Sequence, residues 1–540
     1  MKQLQFIACL IWSAASVNAA TMPTDSAPNF FVATNGVLGS SGRLASPISY
    51  SELTTNVTST LKTNGAIFWM RGGTYPFTVG YVSLQATGIT VRPYPGETVV
   101  IQDGWNVQQS NTIRGLNFMC PLTVLTVSNA YPNGENNFIG LNFAGPGIRS
   151  IGNNVIGFPG GHQNFSAASN TLNYGDVILS SGINYTNGGN SNHGHGLYAQ
   201  NHAGTKRYSL CHFLFSTTSV ATFHGTDAAS INNIYFQSNF VCGSSSIGLI
   251  SQDVTYDFEI SHGDTAGITN CWVTDNFIIQ DSGDGASGSI PFGAVQNPPN
   301  TISGINQGSH LDRNYIKGGI LAINDYDDFS IRSNVIWSTS SSQSARIVTT
   351  SPTISYPALA IDDNDWFYTG GNGHPWFAWT NYQFGVTANN ISITSFPMWQ
   401  SMVHGDTNGT YTAAAPTTIV VKVWTNALRD EFDQWWGDIA VWNPGRSNSV
   451  SVELTGLPAG NRVDIKYTGA MLSNAVVTAV YDGSSISVPL MTFQTYQPTD
   501  ASWPRTPIPT NGASFRVFLV GNNTLTLSGQ STLSGKVTLQ

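Results

Sequence analysis

The sequence predicts an all-β protein: a right-handed parallel β-helix followed by a C-terminal antiparallel β-sandwich. Three observations carry this. Short runs rich in Val, Ile, Phe and Thr recur through residues 66–395, each closed by Gly, Pro or Asn, and no alternating helices make βαβ units. A phrase repeats at residues 236–241, 273–278, 311–316 and 331–336: an apolar residue, two mostly polar residues, Asn, then two apolar residues. Beyond residue 396 the strands alternate polar and apolar positions between Asn, Gly and Pro turns, as in a sandwich.

Taken in order, residues 1–19 read as a secretory signal. Lys2 supplies the positive start, residues 4–15 a mostly apolar core, and Val17, Asn18 and Ala19 a cleavage site. The run is too short to span a bilayer, and no later segment is long and apolar enough. The expected divisions are therefore 1–19 signal, 20–395 β-helix and 396–540 sandwich. Residues 29–36 are a strand running into a turn. Residues 51–63 are the best helical candidate, with Leu53, Val57 and Leu61 at helical spacing, placed to cap the open end of a β-stack. Strands then follow at 66–70, 88–92, 98–101, 112–118, 122–127 and 138–143.

The repeat explains how such strands close. In a β-helix each coil buries its inward side chains against the coils above and below. Asn tolerates left-handed backbone and bonds its neighbours in a turn, so stacked copies make an amide ladder. The spacing is 37 residues from Asn239 to Asn276, 38 to Asn314 and 20 to Asn334, so the long intervals hold either an extra coil or an inserted loop. Asn142 and Asn154 begin earlier, weaker copies. In the C-terminal part Trp424, Trp435, Trp436 and Trp442 cluster, with packing the expected role and sugar stacking the alternative. Residues 522–540 read as a polar strand pair or a tail.

Composition limits the function. Charged residues are 9% of the chain, and 21 Lys and Arg against 30 Asp and Glu give a net charge of −9. That argues against a nucleic-acid partner, which needs a basic stripe, but a few local lysines and arginines can still line a groove for an anionic polymer. Cys120, Cys211, Cys242 and Cys271 remain after the signal, without a CxxC pair, so a zinc cage is not expected; export permits disulfides, and the wide spacings suggest buried thiols at least as strongly. The chain is expected to be an exported monomer, extracellular or periplasmic, without a membrane span.

Residues 72–75, 89–97 and the Asn repeats resemble secreted right-handed parallel β-helix proteins of the pectate lyase and chondroitinase-B-like polysaccharide lyase group, over residues 29–395. Residues 195–201 look like a central coil phrase of bacterial members, and residues 480–489 resemble the β-sandwich tail behind some of them. The resemblance implies cleavage of an acidic polysaccharide. The architecture hosts lyases, hydrolases, epimerases and binders, so the reaction must come from the residues.

Those residues centre on 192–207, where His193, His195, Tyr198, Lys206 and Arg207 gather in a chain otherwise poor in charge. β-Elimination next to a uronate carboxylate needs a cation for the carboxylate, a base for the α-proton and an acid for the leaving oxygen. Lys206 and Arg207 suit the first role, and His195, Tyr198 or His224 the others. If Leu197 and Ala199 point inward, Tyr198 and Gln200 point outward, and His224 and Gln252 on the next coils join them. His193 and His195 share parity with Leu197, so they reach the groove only if Gly194 and Gly196 break the strand. Arg313 and Lys317 form a second basic pair for a carboxylate or sulfate. The catalytic candidates are His195, Tyr198, Lys206 and His224; the binding candidates are His193, Gln200, Arg207, Gln252, Arg313 and Lys317. A glycoside hydrolase is the alternative, with Asp257 and Glu259 on one strand face or Asp281 and Asp284 in a Gly-rich loop. A noncatalytic glycan binder is the third. The named lyases' basic set and acidic calcium ligands find no match. Calcium stays open only through Asp325, Asp327 and Asp328, or Asp362, Asp363 and Asp365.

Overall fold

A computed structural model describes residues 22–54, 59–77, 81–120, 139–158, 160–164, 167–179, 195–216, 220–225, 231–244, 258–262, 268–279, 290–293, 307–318, 321–324, 328–339, 345–349, 358–370, 377–381, 389–471, 474–492, 508–509 and 511–520. The signal sequence, strand 122–127, the tail 522–540, His193, Gln252, Asp257, Asp281, Asp284, Asp325 and Asp327 lie outside them.

The chain winds as a right-handed parallel β-helix with three faces. Each face is a twelve-stranded sheet among the described residues. The first begins at Asn29–Val37, the second at Gly73–Tyr75 and the third at Tyr81–Leu84, and successive coils add one strand to each. Pairing is parallel throughout, except that Asn389–Ile393 closes the third sheet antiparallel to Phe377–Asn381. The last strand of the second sheet is Thr410–Thr412. At the N-terminal end the helix is Tyr50–Thr54, shorter than the 51–63 expected, since residues 59–63 form a turn and coil; its buried Tyr50 and Leu53 join the core of the coil. Among the described residues no helix is long and apolar enough to cross a membrane.

The amide ladder is present. The Asn276 side chain accepts from the Asn239 backbone N–H at 2.8 Å, Asn314 from Asn276 at 3.0 Å, Asn334 from Asn314 at 2.9 Å and Asn364 from Asn334 at 3.1 Å. Asp406 ends the column, accepting from Asn364 and from the indoles of Trp366 and Trp399. Since Asn239, Asn276 and Asn314 are direct neighbours, each long interval spans one coil and holds no extra one. The left-handed residue is not the Asn but the one before it: Ser238, Asp275, Arg313, Ser333 and Asp363 have φ of 55–60°. The turn thus divides the work, one residue bending the backbone and the next bonding the coils. Each ladder Asn meets several otherwise unpaired backbone groups; Asn314 also donates to Val273 O at 2.8 Å. Asn314→Ala is therefore expected to lower stability by about 2 kcal/mol in urea unfolding. A loss below a few tenths would mean water replaces the amide freely.

Second-sheet strands are apolar on both faces: Val177, Ile178 and Leu179, or Phe277, Ile278 and Ile279, are all buried. Such a strand needs cover on both sides. Inward residues fill the coil, and the outer ones pack under the C-terminal domain, where Trp442, Ala440 and Met471 meet Leu179, Phe240, Phe277 and Trp337. That domain has a five-stranded antiparallel sheet whose apolar face packs on the pair Ser449–Val452 and Ile486–Pro489, making the sandwich. Gly512 allows the close approach, since an added Cβ would overlap Ile279 Cδ1. Trp435 and Trp442 are buried at the junction and Trp436 in the sandwich core, so these tryptophans pack. Cys120, Cys211, Cys242 and Cys271 are all buried.

Candidate functional site

With the second sheet covered, the third sheet presents a polar outer face. Parallel register fixes one outward column there: Ser83 beside Asn106, Asn106 beside Asn142, Asn142 beside Gln163, Gln163 beside Tyr198, Tyr198 beside Thr222. Five steps at the usual strand spacing make a track of about 24 Å along the axis. The flanking residues Leu141, Phe143, Leu197, Ala199 and Phe223 are buried in the coil, as alternation requires.

His195 joins this column. The strand Leu197–Ala199 starts only after Gly196, whose added Cβ would crowd Val220 O. The break frees His195 from strand parity. Its ring lies 5.4 Å from that of Tyr198, and its Nδ1 is 3.3 Å from Thr222 Oγ1 on the next coil. Gln200, nine-tenths buried, donates from Nε2 to the Tyr198 hydroxyl oxygen at 3.1 Å. The Gln163 side chain is also nine-tenths buried, and its Oε1 has no hydrogen-bond partner among the described residues. An imidazole, a phenol and amides thus share one face.

Lys206, Lys317, Arg207 and Arg313, also expected in the site, fall elsewhere. Lys206 is inside the coil, fully buried, because it faces inward with Tyr208 while Arg207 faces out. Its Nζ donates to the Asn164 carbonyl at 2.7 Å and to Asn164 Oδ1 at 2.5 Å. Burial pushes its pKa well below the ordinary lysine value. It cannot meet a substrate carboxylate. Lys317 is buried under the sandwich, donating to Asn511 Oδ1 at 2.8 Å and lying 5.2 Å from the Trp337 ring centre. It too is withdrawn from substrate. Arg207 is exposed but on the first sheet, its guanidinium 4.4 Å from the Tyr235 ring centre. Arg313 sits in a left-handed turn between the first and second sheets, paired with Asp275 of the preceding coil at 2.8 Å. His224 is on the third-sheet strand Ala221–Gly225, its backbone opposite Ser261. The coil that follows in this sheet is Phe258–His262, so Glu259, not Gln252, stands in register with Thr222. Thr222, Gln163 and Asn106 carry no motif in the sequence, and Asn142, read there as a weak copy of the repeat, stands in this column instead. Their signal was alternation, as in Leu141, Asn142, Phe143.

Lys206 belongs to an interior polar cluster. Asn164 Nδ2 donates to Thr171 Oγ1 and the Tyr208 hydroxyl, both at 2.9 Å. His162, also buried, packs edge-on against Phe143; burial and the Lys206 charge push its pKa down to about 3. Below about pH 6.5 an unfolded histidine takes a proton, while folded His162 does not until about pH 3. Stability from this residue is therefore present at neutral pH and lost as pH falls between those values. Its share of the slope is about 1.4 kcal/mol per pH unit. His162→Gln should flatten the dependence of urea midpoint on pH between 6 and 4. Parallel curves for both proteins would contradict this.

No protein-family model matches the sequence, and no curated protein matches it. In three dimensions the chain is similar to pectate lyase Pel9A, with a TM-score of 0.35 and 10% identity over 70% of this chain and 80% of that one. It is also similar to the Dettilon tailspike protein, at a TM-score of 0.27 and 10% identity, covering 78% and 88% of the two chains. A third similarity is to tailspike protein gp49 from Acinetobacter baumannii bacteriophage Fri1, a capsular polysaccharide depolymerase, at 0.23 and 9%, covering 84% and 79%. Likeness this low leaves the chemistry to the site itself.

Proposed function

We propose that this protein is a carbohydrate-active enzyme that cleaves an acidic polysaccharide by β-elimination on the outer face of the third sheet. The observation that carries the proposal is the His195–Tyr198 pair, held on the outward polar column of the third sheet by Thr222 and Gln200. His195 takes the proton next to the uronate carboxylate. The glycosidic C–O bond breaks, Tyr198 gives its hydroxyl proton to the leaving oxygen, and a carbon–carbon double bond remains in the new end sugar. Gln200, donating to the phenol oxygen, stabilises the phenolate that forms. With Lys206 and Lys317 withdrawn, the amides of Gln163 and Asn142 supply the donors for the carboxylate. Several such donors in a partly desolvated site replace a formal cation.

The test is incubation of the purified protein with uronate-containing and neutral polysaccharides, following ultraviolet absorbance and reducing ends together. Both signals rising on a uronate polymer is the expected result. Reducing ends without absorbance would overturn elimination and favour hydrolysis. That second reading has its own support: the Glu259 backbone pairs in register with Thr222, one coil beyond. Silence on both signals would favour a binding protein.

A further inference from the structure

A second polar hollow lies away from the third sheet, between the coil and the sandwich. We propose that this junction cleft is a noncatalytic binding site for a uronic sugar of one or two rings. Its volume is about 390 Å³. That falls within the ordinary range of small-ligand sites, about 300–1,000 Å³. The coil contributes corner residues from three successive turns, and the sandwich contributes its strands Arg462–Tyr467 and Gly512–Leu519.

The argument starts at the floor. Asn117 and Asn154 are neighbours in the second sheet, both lining the cleft. Asn117 Nδ2 donates to Val99 O at 2.8 Å, and Asn154 Nδ2 donates to Asn117 Oδ1 at 2.7 Å. Each amide thus donates back along the column and offers its oxygen forward. The next residue in register is Val177, which has nothing to give. Asn154 is only 7% exposed, and its Oδ1 has no donor among the described residues. A buried acceptor left this way is costly. It asks for a hydroxyl.

The opposite wall supplies complementary chemistry. Lys466 lines the cleft half-buried, its Nζ 5.9 Å from the Phe518 ring centre and 3.4 Å from Met471 O. Burial lowers its pKa, with Asp464 opposing. A carboxylate brought beside it would restore the lost solvation. The neighbouring guanidiniums are already engaged: Arg114 with Asp433, and Arg92 with Asp430 at 2.7 Å. The apolar face of a sugar ring suits Phe518. Hydroxyl to Asn154, carboxylate to Lys466 and ring face to Phe518 together describe a uronic sugar.

The test is calorimetric titration of the full chain with glucuronate, galacturonate and their disaccharides, with glucose as the neutral control. Uronates should bind and glucose should bind more weakly. Lys466→Met and Asn154→Ala should each weaken uronate binding about tenfold. Lys466→Met should leave the unfolding midpoint and any cleavage of polymer unchanged, while Tyr198→Phe should leave this binding intact. No uronate binding, equal affinity for glucose, or binding indifferent to Lys466→Met in a folded variant would each overturn the proposal. Because binding is read without turnover, its failure is distinct from failure of the lyase reading.

Discussion

Asp438→Asn is expected to destabilise the protein by about 3–5 kcal/mol and to loosen the sandwich from the coil. Asp438 lies in the five-stranded sheet with no exposed side-chain surface. Its Oδ1 accepts from Arg516 Nε at 3.0 Å and from the Trp435 indole at 3.1 Å. Its Oδ2 is 3.2 Å from His212 Nε2, which comes from the coil. Arg516, 1% exposed, lies over the Trp435 ring and donates to Gly175 O, again on the coil. The group therefore ties the two parts together through one carboxylate. Burial alone would raise the Asp438 pKa, but Arg516 and His212 outweigh it and hold it below the ordinary carboxylate range. The sign follows: its contribution is present above the unfolded carboxylate pKa and lost as pH falls through the lower folded one. Asn keeps the shape and removes the charge, leaving a guanidinium buried without its counter-ion. Urea unfolding read by tryptophan fluorescence and by limited proteolysis at the junction measures the loss. A cost under about 1 kcal/mol, the scale of a surface pair, would show that water reaches the cluster. Adding Arg516→Met to Asp438→Asn should recover part of the loss, because no lone charge then remains.

The coil was legible in the sequence because its causes are local and repeated. Short β-rich runs, turn residues and the Asn phrase each act within a few residues, and their recurrence gives the ladder from Asn239 to Asn364. The site was legible only where alternation was applied strictly. Tyr198 and Leu197 were assigned opposite faces, as found. Lys206 and Arg207 were assigned one groove, which adjacent residues of a strand cannot share. Lys317 fails for another reason. It stands in a second-sheet strand, Tyr315–Gly318, whose outer face meets the sandwich, and Lys317 itself carries no sign of that contact with a distant segment. The doubly apolar strands around 177–179 and 277–279 did carry that mark: one covering layer was required, and a partner domain was the available one. The His195 position turned on Gly196, a single residue where strand geometry begins one place later than parity assumes.

Tyr198→Phe is expected to lower kcat on a uronate polymer by about 10²–10⁴-fold, the usual worth of a positioned acid or base, with little change in KM. The ring would still pack beside His195 and keep its half-buried place between the Gln163 and Thr222 coils. Only the proton and the hydrogen bond from Gln200 would go. His195→Gln should cost a similar factor, since the amide cannot take the α-proton. Thr222→Val separates positioning from proton transfer. It removes the oxygen 3.3 Å from His195 Nδ1 without touching either reacting group, so a smaller loss of about tenfold and a displaced pH–rate profile are expected. Lys206→Met should act on stability and leave the kinetics of the folded fraction alone, because Lys206 bonds Asn164 inside the coil. This set decides between two sites. Activity lost in Lys206→Met with the fold intact, and kept in Tyr198→Phe, would move the chemistry off the third-sheet column. Activity lost in Tyr198→Phe and His195→Gln together, with unfolding midpoints unchanged, would fix the proton-moving pair on the third sheet, where the polar column runs past it along the coil axis.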